Sequence, residues 1–224
     1  MNVRRAAPLT GVAFAVLFLA SVAVSTVPKN TAPDKAWVAA YATHGQQARH
    51  LATGLLLVLA GLSLVAFLTH LWNRVAAARQ SERLSQLPVL AAGVAATCIA
   101  AGGIAMGASS GSAWLFSQPI PSPDLLRFSN DLGFGLAGGA GMLAAALSVA
   151  SVSLQARAAG VFSPAMARFS LLVSVVLLGS LAFIPILALL VWVVVVAITL
   201  VRRPESEHAD LGTLRAGDPL GVRA

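Results

Sequence analysis

The chain has 224 residues, 58% of them hydrophobic and only 10% charged, whereas soluble domains carry about 25% charged residues. That excludes an ordinary soluble domain. The net charge of +7 does not mark a nucleic-acid footprint, because no run of five or six basic residues occurs and the charges lie between apolar stretches.

Taken in order, residues 1–27 open with Arg4 and Arg5 and continue as an apolar run from Leu9 to Val27. A secretory signal has the same charged start but a shorter apolar core, of about 7 to 15 residues. The expectation is a retained first span at 9–27, with a cleaved leader as the alternative, since Ala23-Val24-Ser25 resembles a cleavage site. Residues 28–49 form a polar connection. A short helix is expected there, starting at Ala32-Pro33-Asp34, with Trp37, Tyr41 and His44 on one face. Such aromatics suit headgroup depth at a membrane surface, or alternatively a lid.

The second span is expected at 51–72, followed by a loop with Arg74, Arg79 and Arg83. The third is expected at 88–107, and Cys98 within it reads as a buried, inert thiol that has no partner for a disulfide in this chain. Residues 108–128 carry Pro119, Pro121 and Pro123 and read as an extended loop. The fourth span is expected at 130–153.

From Pro164 onward no ionisable residue occurs between Arg168 and Arg202. One helix of about 40 residues would be about 60 Å long, twice the roughly 30 Å hydrocarbon core. Two spans fit, at 164–183 and 186–203, with Ser163-Pro164 as N-cap and first helical residue and a turn at Phe183–Pro185. A single Pro-kinked helix is the alternative. Residues 204–224 are polar and lack an apolar period, as a disordered cytosolic tail does.

Six spans with an inside start place Arg4, Arg5, Arg74, Arg79, Arg83, Arg157, Arg168 and the four arginines from Arg202 onward on one side. Lys29, Lys35, Arg49 and Arg127 fall on the other. Basic residues concentrate on the cytosolic side, so the expected fold is an all-α polytopic transmembrane bundle of six spans over 1–203, with both termini cytosolic.

Three stretches carry a resemblance: WVAAYATHGQQARHLATGLLLVLAGL entering the second span, RFSNDLGFGL opening the fourth, and FIPILALLVWVVVVAITLVRR at the end. In these, and in feature order over most of residues 8–203, the chain resembles a group of uncharacterised bacterial six-span membrane proteins. The resemblance implies topology and a bacterial cytoplasmic (inner) membrane, and no activity.

Small residues recur at a four-residue step. Gly103, Gly107 and Gly111 do so in and beyond the third span, and Gly133, Ala137, Gly141 and Ala145 do so in the fourth. Such stripes let helix backbones approach closely. They serve packing within one chain, a homodimer seam, or the lining of an apolar cavity. His50 and His70 lie about 30 Å apart along one helix, and no other span carries a histidine at matching depth, so no haem is expected. The spacing of Asp34, His44 and His50 matches no metal motif. Neither cofactor nor metal is expected, and no residue is assigned a catalytic role.

Polar chemistry gathers at one place, an outer cluster of His44, Arg49, His50, Arg127 and Asp131. Asp131 reads as a first-turn acid, capped by Ser129 or Asn130 and paired with Arg127. The leading functional expectation is a noncatalytic membrane protein that packs with lipid, with itself as a homo-oligomer, or with a membrane partner, and not with nucleic acid. A small-solute transporter or channel is the alternative, and an intramembrane enzyme using the outer cluster is the third class.

Overall fold

A computed structural model describes residues 7–78, 85–179 and 186–202. Among these residues there are seven helices and no strand. They are α1 (Leu9–Val24), α2 (Asp34–Tyr41), α3 (His44–Ala78), α4 (Leu87–Phe116), α5 (Pro123–Ala158), α6 (Pro164–Leu178) and α7 (Ile186–Arg202). The fold is all-α. Helices α3, α4 and α5, of 35, 30 and 36 residues, are long and apolar enough to cross a membrane. Helices α1, α6 and α7 are apolar but have 16, 15 and 17 residues. The expectations for Arg4, Arg5, Arg79, Arg83, the turn at Phe183–Pro185 and the tail 204–224 lie outside the described residues.

Several helix ends differ from the sequence reading, each for a local reason. Helix α3 starts seven residues before Leu51, because Thr43 and Gln46 form a capping box. The Gln46 backbone N–H donates to Thr43 Oγ1 at 3.3 Å, and the Thr43 backbone N–H donates to Gln46 Oε1 at 3.1 Å. Helix α4 runs through Gly107 and Gly111 to Phe116 and stops at Ser117, whose φ of 53° is left-handed. The loop expected over 108–128 therefore shrinks to 117–122. Helix α5 begins at Pro123, with the Ser122 hydroxyl accepting from the Leu125 N–H at 3.4 Å, so neither Ser129 nor Asn130 caps it. The cap expected for α6 is present: Ser163 Oγ accepts from the Met166 N–H at 3.2 Å.

The glycine stripes join α3, α4 and α5 into an antiparallel core inside one chain. A Cβ at Gly54 of α3 would lie 2.5 Å from the Gly103 carbonyl, and one at Gly103 would lie 2.6 Å from the Gly54 carbonyl. Gly107 packs over Gly54, and Gly111 reaches Leu51. On the other side of α4, Gly133 lies against Met106 and Gly102, and Gly141 against Ile99 and Ala95. All five expected packing glycines are buried within the chain. Ser148 adds a buried hydrogen bond, donating to the Pro88 carbonyl at 2.8 Å.

Helix α1 packs across α3, where Gly11 meets Phe67 and Val193. Helices α6 and α7 lie side by side, tied by a buried bond from Trp192 Nε1–H to Ser170 Oγ at 2.7 Å. In one straight helix those residues would be about 33 Å apart, so α6 and α7 are not parts of a single straight helix. Arg74, at the far end of α3, donates to the Leu200 carbonyl at 3.2 Å. The outward faces remain apolar, with Leu62, Leu90, Ile104, Leu147 and Val175 all exposed.

Candidate functional site

At the end of the bundle where α3 begins, residues 25–43 form a connector that carries α2. Pro33, in extended geometry, starts α2 at Asp34. Trp37 and Tyr41 do not sit at a surface. Both are buried, and with Leu126 of α5 they make a small separate apolar cluster. The reason is Arg127. Its guanidinium donates to Asp34 Oδ1 at 2.7 Å, to the Ala32 carbonyl at 3.0 Å and to Asp124 Oδ1 at 3.1 Å, and lies 5.7 Å from the Trp37 ring centre. Arg127 thus clasps α2 onto α5 through charge, hydrogen bonds and a cation–π contact.

The remaining members of the expected cluster separate. His50 is buried. Its Nε2–H donates to the Ala40 carbonyl at 3.1 Å, and its ring stacks on Tyr41 at 4.1 Å and 5°. A carbonyl only accepts, so the bond places the proton on Nε2. Gln47 donates from Nε2 to the Tyr41 carbonyl at 3.0 Å. Burial pushes the Tyr41 phenol up to about 12. His44 and Arg49 point to the exposed side and make no side-chain bond among the described residues.

Asp131 accepts from Asn30 Nδ2 at 2.6 Å instead of pairing with Arg127. Arg127 and Asp131 lie one turn apart as neighbours on α5, yet each is engaged by a different part of the connector. Arg127 turns toward α2 and Asp131 toward the start of the connector. Asn30 and Asp34 thus supply the partners that the sequence reading missed. Asp34 was legible as the acid after Pro33, while nothing local signals Asn30, whose partner is 101 residues away.

Beneath the connector lies a cavity of about 380 Å³, within the roughly 300 to 1,000 Å³ usual for ligand pockets. Phe18 of α1, Leu57 of α3, Met106 of α4 and Ile186 of α7 form its apolar walls. Ser21, Thr53 and Asn130 add polar groups, and Lys29 and Asp131 stand exposed at its rim. The Ser21 and Thr53 hydroxyls donate to backbone carbonyls of Phe18 and Arg49 within their own helices. Asn130 is 3% exposed, and its Oδ1 has no hydrogen-bond partner among the described residues.

The α5 wall of this cavity includes part of a π-helical turn over Gly135–Ala140. Such turns recur at functional sites because the extra residue widens the helix. Gly138 faces the cavity, where a Cβ would meet only Ile186 Cδ1 at 3.7 Å. Among the described residues no three His, Cys, Asp or Glu side chains gather as a metal site. Compared with known proteins, the chain matches no family model, no curated protein sequence and no solved structure.

Proposed function

We propose that the chain is a noncatalytic integral protein of a bacterial cytoplasmic membrane, crossing six times with both ends cytosolic, and that it packs with lipid, with further copies of itself or with a membrane partner. The proposed likeness to bacterial six-span proteins belongs to the same reading. The observation that carries it is the use made of the polar cluster. Arg127, His50, Gln47 and Asn30 are bonded to the connector or to its partner helix and hold it in place. The exposed apolar faces of the long helices support burial in lipid, and the return of α7 beside α6 supports the terminal hairpin. The packing glycines already contact one another's helices, so a second copy or partner would use the outward faces.

Reporter fusions after Asn2 and after Arg203 test the topology. Both should read cytosolic, and an external signal at the second would remove the sixth crossing. Arg127→Gln and His50→Gln test the role of the cluster. They should lower thermal stability in step with any loss of cellular function, whereas full stability with lost function would point to a chemical role. A small-solute carrier is the second reading, favoured by the cavity beside a π-helical turn.

A further inference from the structure

We propose that the cavity under the connector binds one acyl chain of an amine-bearing glycerophospholipid, with the headgroup at the Lys29–Asp131 rim. The proposal takes its ligand from the membrane reading but does not depend on the number of crossings.

The walls select the tail. Phe18, Leu57 and Ile186 are each no more than 5% exposed, yet they border open volume. Water in contact with such side chains forgoes hydrogen bonds, so an apolar occupant is favoured. At about 380 Å³ the cavity falls within the size range of ligand pockets, with room for an alkyl chain.

The rim selects the head. Lys29 supplies a cation suited to a phosphate, while Asp131 supplies an anion suited to an ammonium group. Asp131 Oδ1 is already engaged by Asn30, which orients the carboxylate and leaves Oδ2 for a ligand. Asn130 is the independent sign of a missing partner. Its amide lies in the cavity wall, nearly fully buried, with Oδ1 unpaired among the described residues. Buried polar groups are rarely left so. A headgroup with a primary ammonium can donate to Asp131, and a trimethylated one has no N–H to give.

The site lies at the right level. Thr53 is one helical turn beyond His50, and Leu57 one turn further, about 5 and 11 Å along α3. The mouth therefore coincides with the passage from the polar start of α3 to its apolar body, where a headgroup meets its chain.

The test uses the full chain purified in detergent micelles, with lysophosphatidylethanolamine, lysophosphatidylcholine and lysophosphatidylglycerol of one chain length as probes. Native mass spectrometry and thermal shift read binding. The ethanolamine lipid should bind at least about tenfold more tightly than the choline lipid, the difference of one charge-assisted hydrogen bond. Gly138→Leu fills the cavity from a position with room for its Cβ, and should abolish binding without lowering the unfolding temperature of the lipid-free protein. Asp131→Lys, at an exposed position, should remove the preference for ethanolamine over glycerol headgroups. Equal binding of all three lipids, or ethanolamine-lipid binding that survives Gly138→Leu, would overturn the proposal. Should Gly138→Leu not fold, an unchanged headgroup preference in Asp131→Lys overturns it alone. Reporter topology is unaffected by any of these results, so failure here and failure of the six-span reading are separate.

Discussion

Replacing Gly54 with Ala tests whether backbone proximity holds α3 to α4. The added Cβ would lie 2.5 Å from the Gly103 carbonyl oxygen and 3.2 Å from Gly107 Cα. Carbon–oxygen contacts between helices ordinarily fall at about 3.3 to 3.6 Å, so the two helices must separate by roughly 0.8 Å. Both obstacles are backbone and cannot swing aside. Overpacking of this kind costs about 1 to 3 kcal/mol. The better helix propensity of Ala returns up to about 1 kcal/mol, which leaves a net loss of about 1 to 2 kcal/mol. Gly107→Ala is the matched comparison one turn along the facing stripe. Its Cβ would lie 3.6 Å from Gly54 Cα, an ordinary contact, so that variant should be neutral or slightly more stable. Gly93→Ala meets nothing within 4 Å and should also be neutral or stabilised. Thermal and denaturant unfolding in detergent measure all three. A Gly54→Ala protein as stable as Gly93→Ala would refute the close approach, and a Gly107→Ala protein as damaged as Gly54→Ala would refute its exact register.

Three further outcomes are expected. Ser170→Ala should destabilise by about 1 to 3 kcal/mol, because Trp192 Nε1–H then lacks its buried acceptor; Ser170→Thr, which keeps the hydroxyl, should recover most of that loss in the same unfolding assay. Arg127→Gln combined with Asp34→Asn should show a coupling of about 0 to 1 kcal/mol, since Asp34 is 73% exposed, while Arg127→Gln and Asp131→Asn should add independently; strong coupling of the second pair would return the ion pair to where the sequence first suggested it. The third concerns pH. The folded chain keeps the Tyr41 proton up to about 12, against an ordinary 10.0. The stability it contributes is therefore fully present below pH 10 and is lost as pH rises toward 12, by up to about 3 kcal/mol. Unfolding measured from pH 9 to 11 should fall more steeply for the wild type than for Tyr41→Phe, and equal slopes would contradict the burial.

The helical class and the approximate positions of the apolar segments were legible because hydropathy acts over twenty residues at a time. The packing glycines were legible too, as a four-residue step, but their partners were not. Gly103 faces Gly54, and no rule relates positions 49 residues apart. Helix ends show a different limit. Ser163-Pro164 reads as a cap, yet the equivalent Ser122-Pro123 reads as part of a proline-rich loop, and the Thr43–Gln46 box stands apart from an apolar run that begins only at Leu51. In both cases local capping extends the helix well past its hydrophobic portion. The cluster around Arg127 failed for a third reason. Sequence proximity favoured Asp131, whereas the folded connector delivers Asp34 from 93 residues away.

The π-helical turn over Gly135–Ala140 also explains how α5 keeps one face on α4 for so long. In a regular α-helix each residue advances about 100°, so a four-residue step drifts by about 40°. From Gly133 to Gly141 that drift would reach about 80°, enough to swing Gly141 off the seam. One residue accommodated in the wider turn absorbs about 100° of rotation, and both glycines meet α4, one at Met106 and the other at Ile99. The turn acts as a phase correction. Shortening it by one residue would leave the sequence of every later contact intact and rotate all of them away, so that Ser148 would lose Pro88 although neither residue had changed.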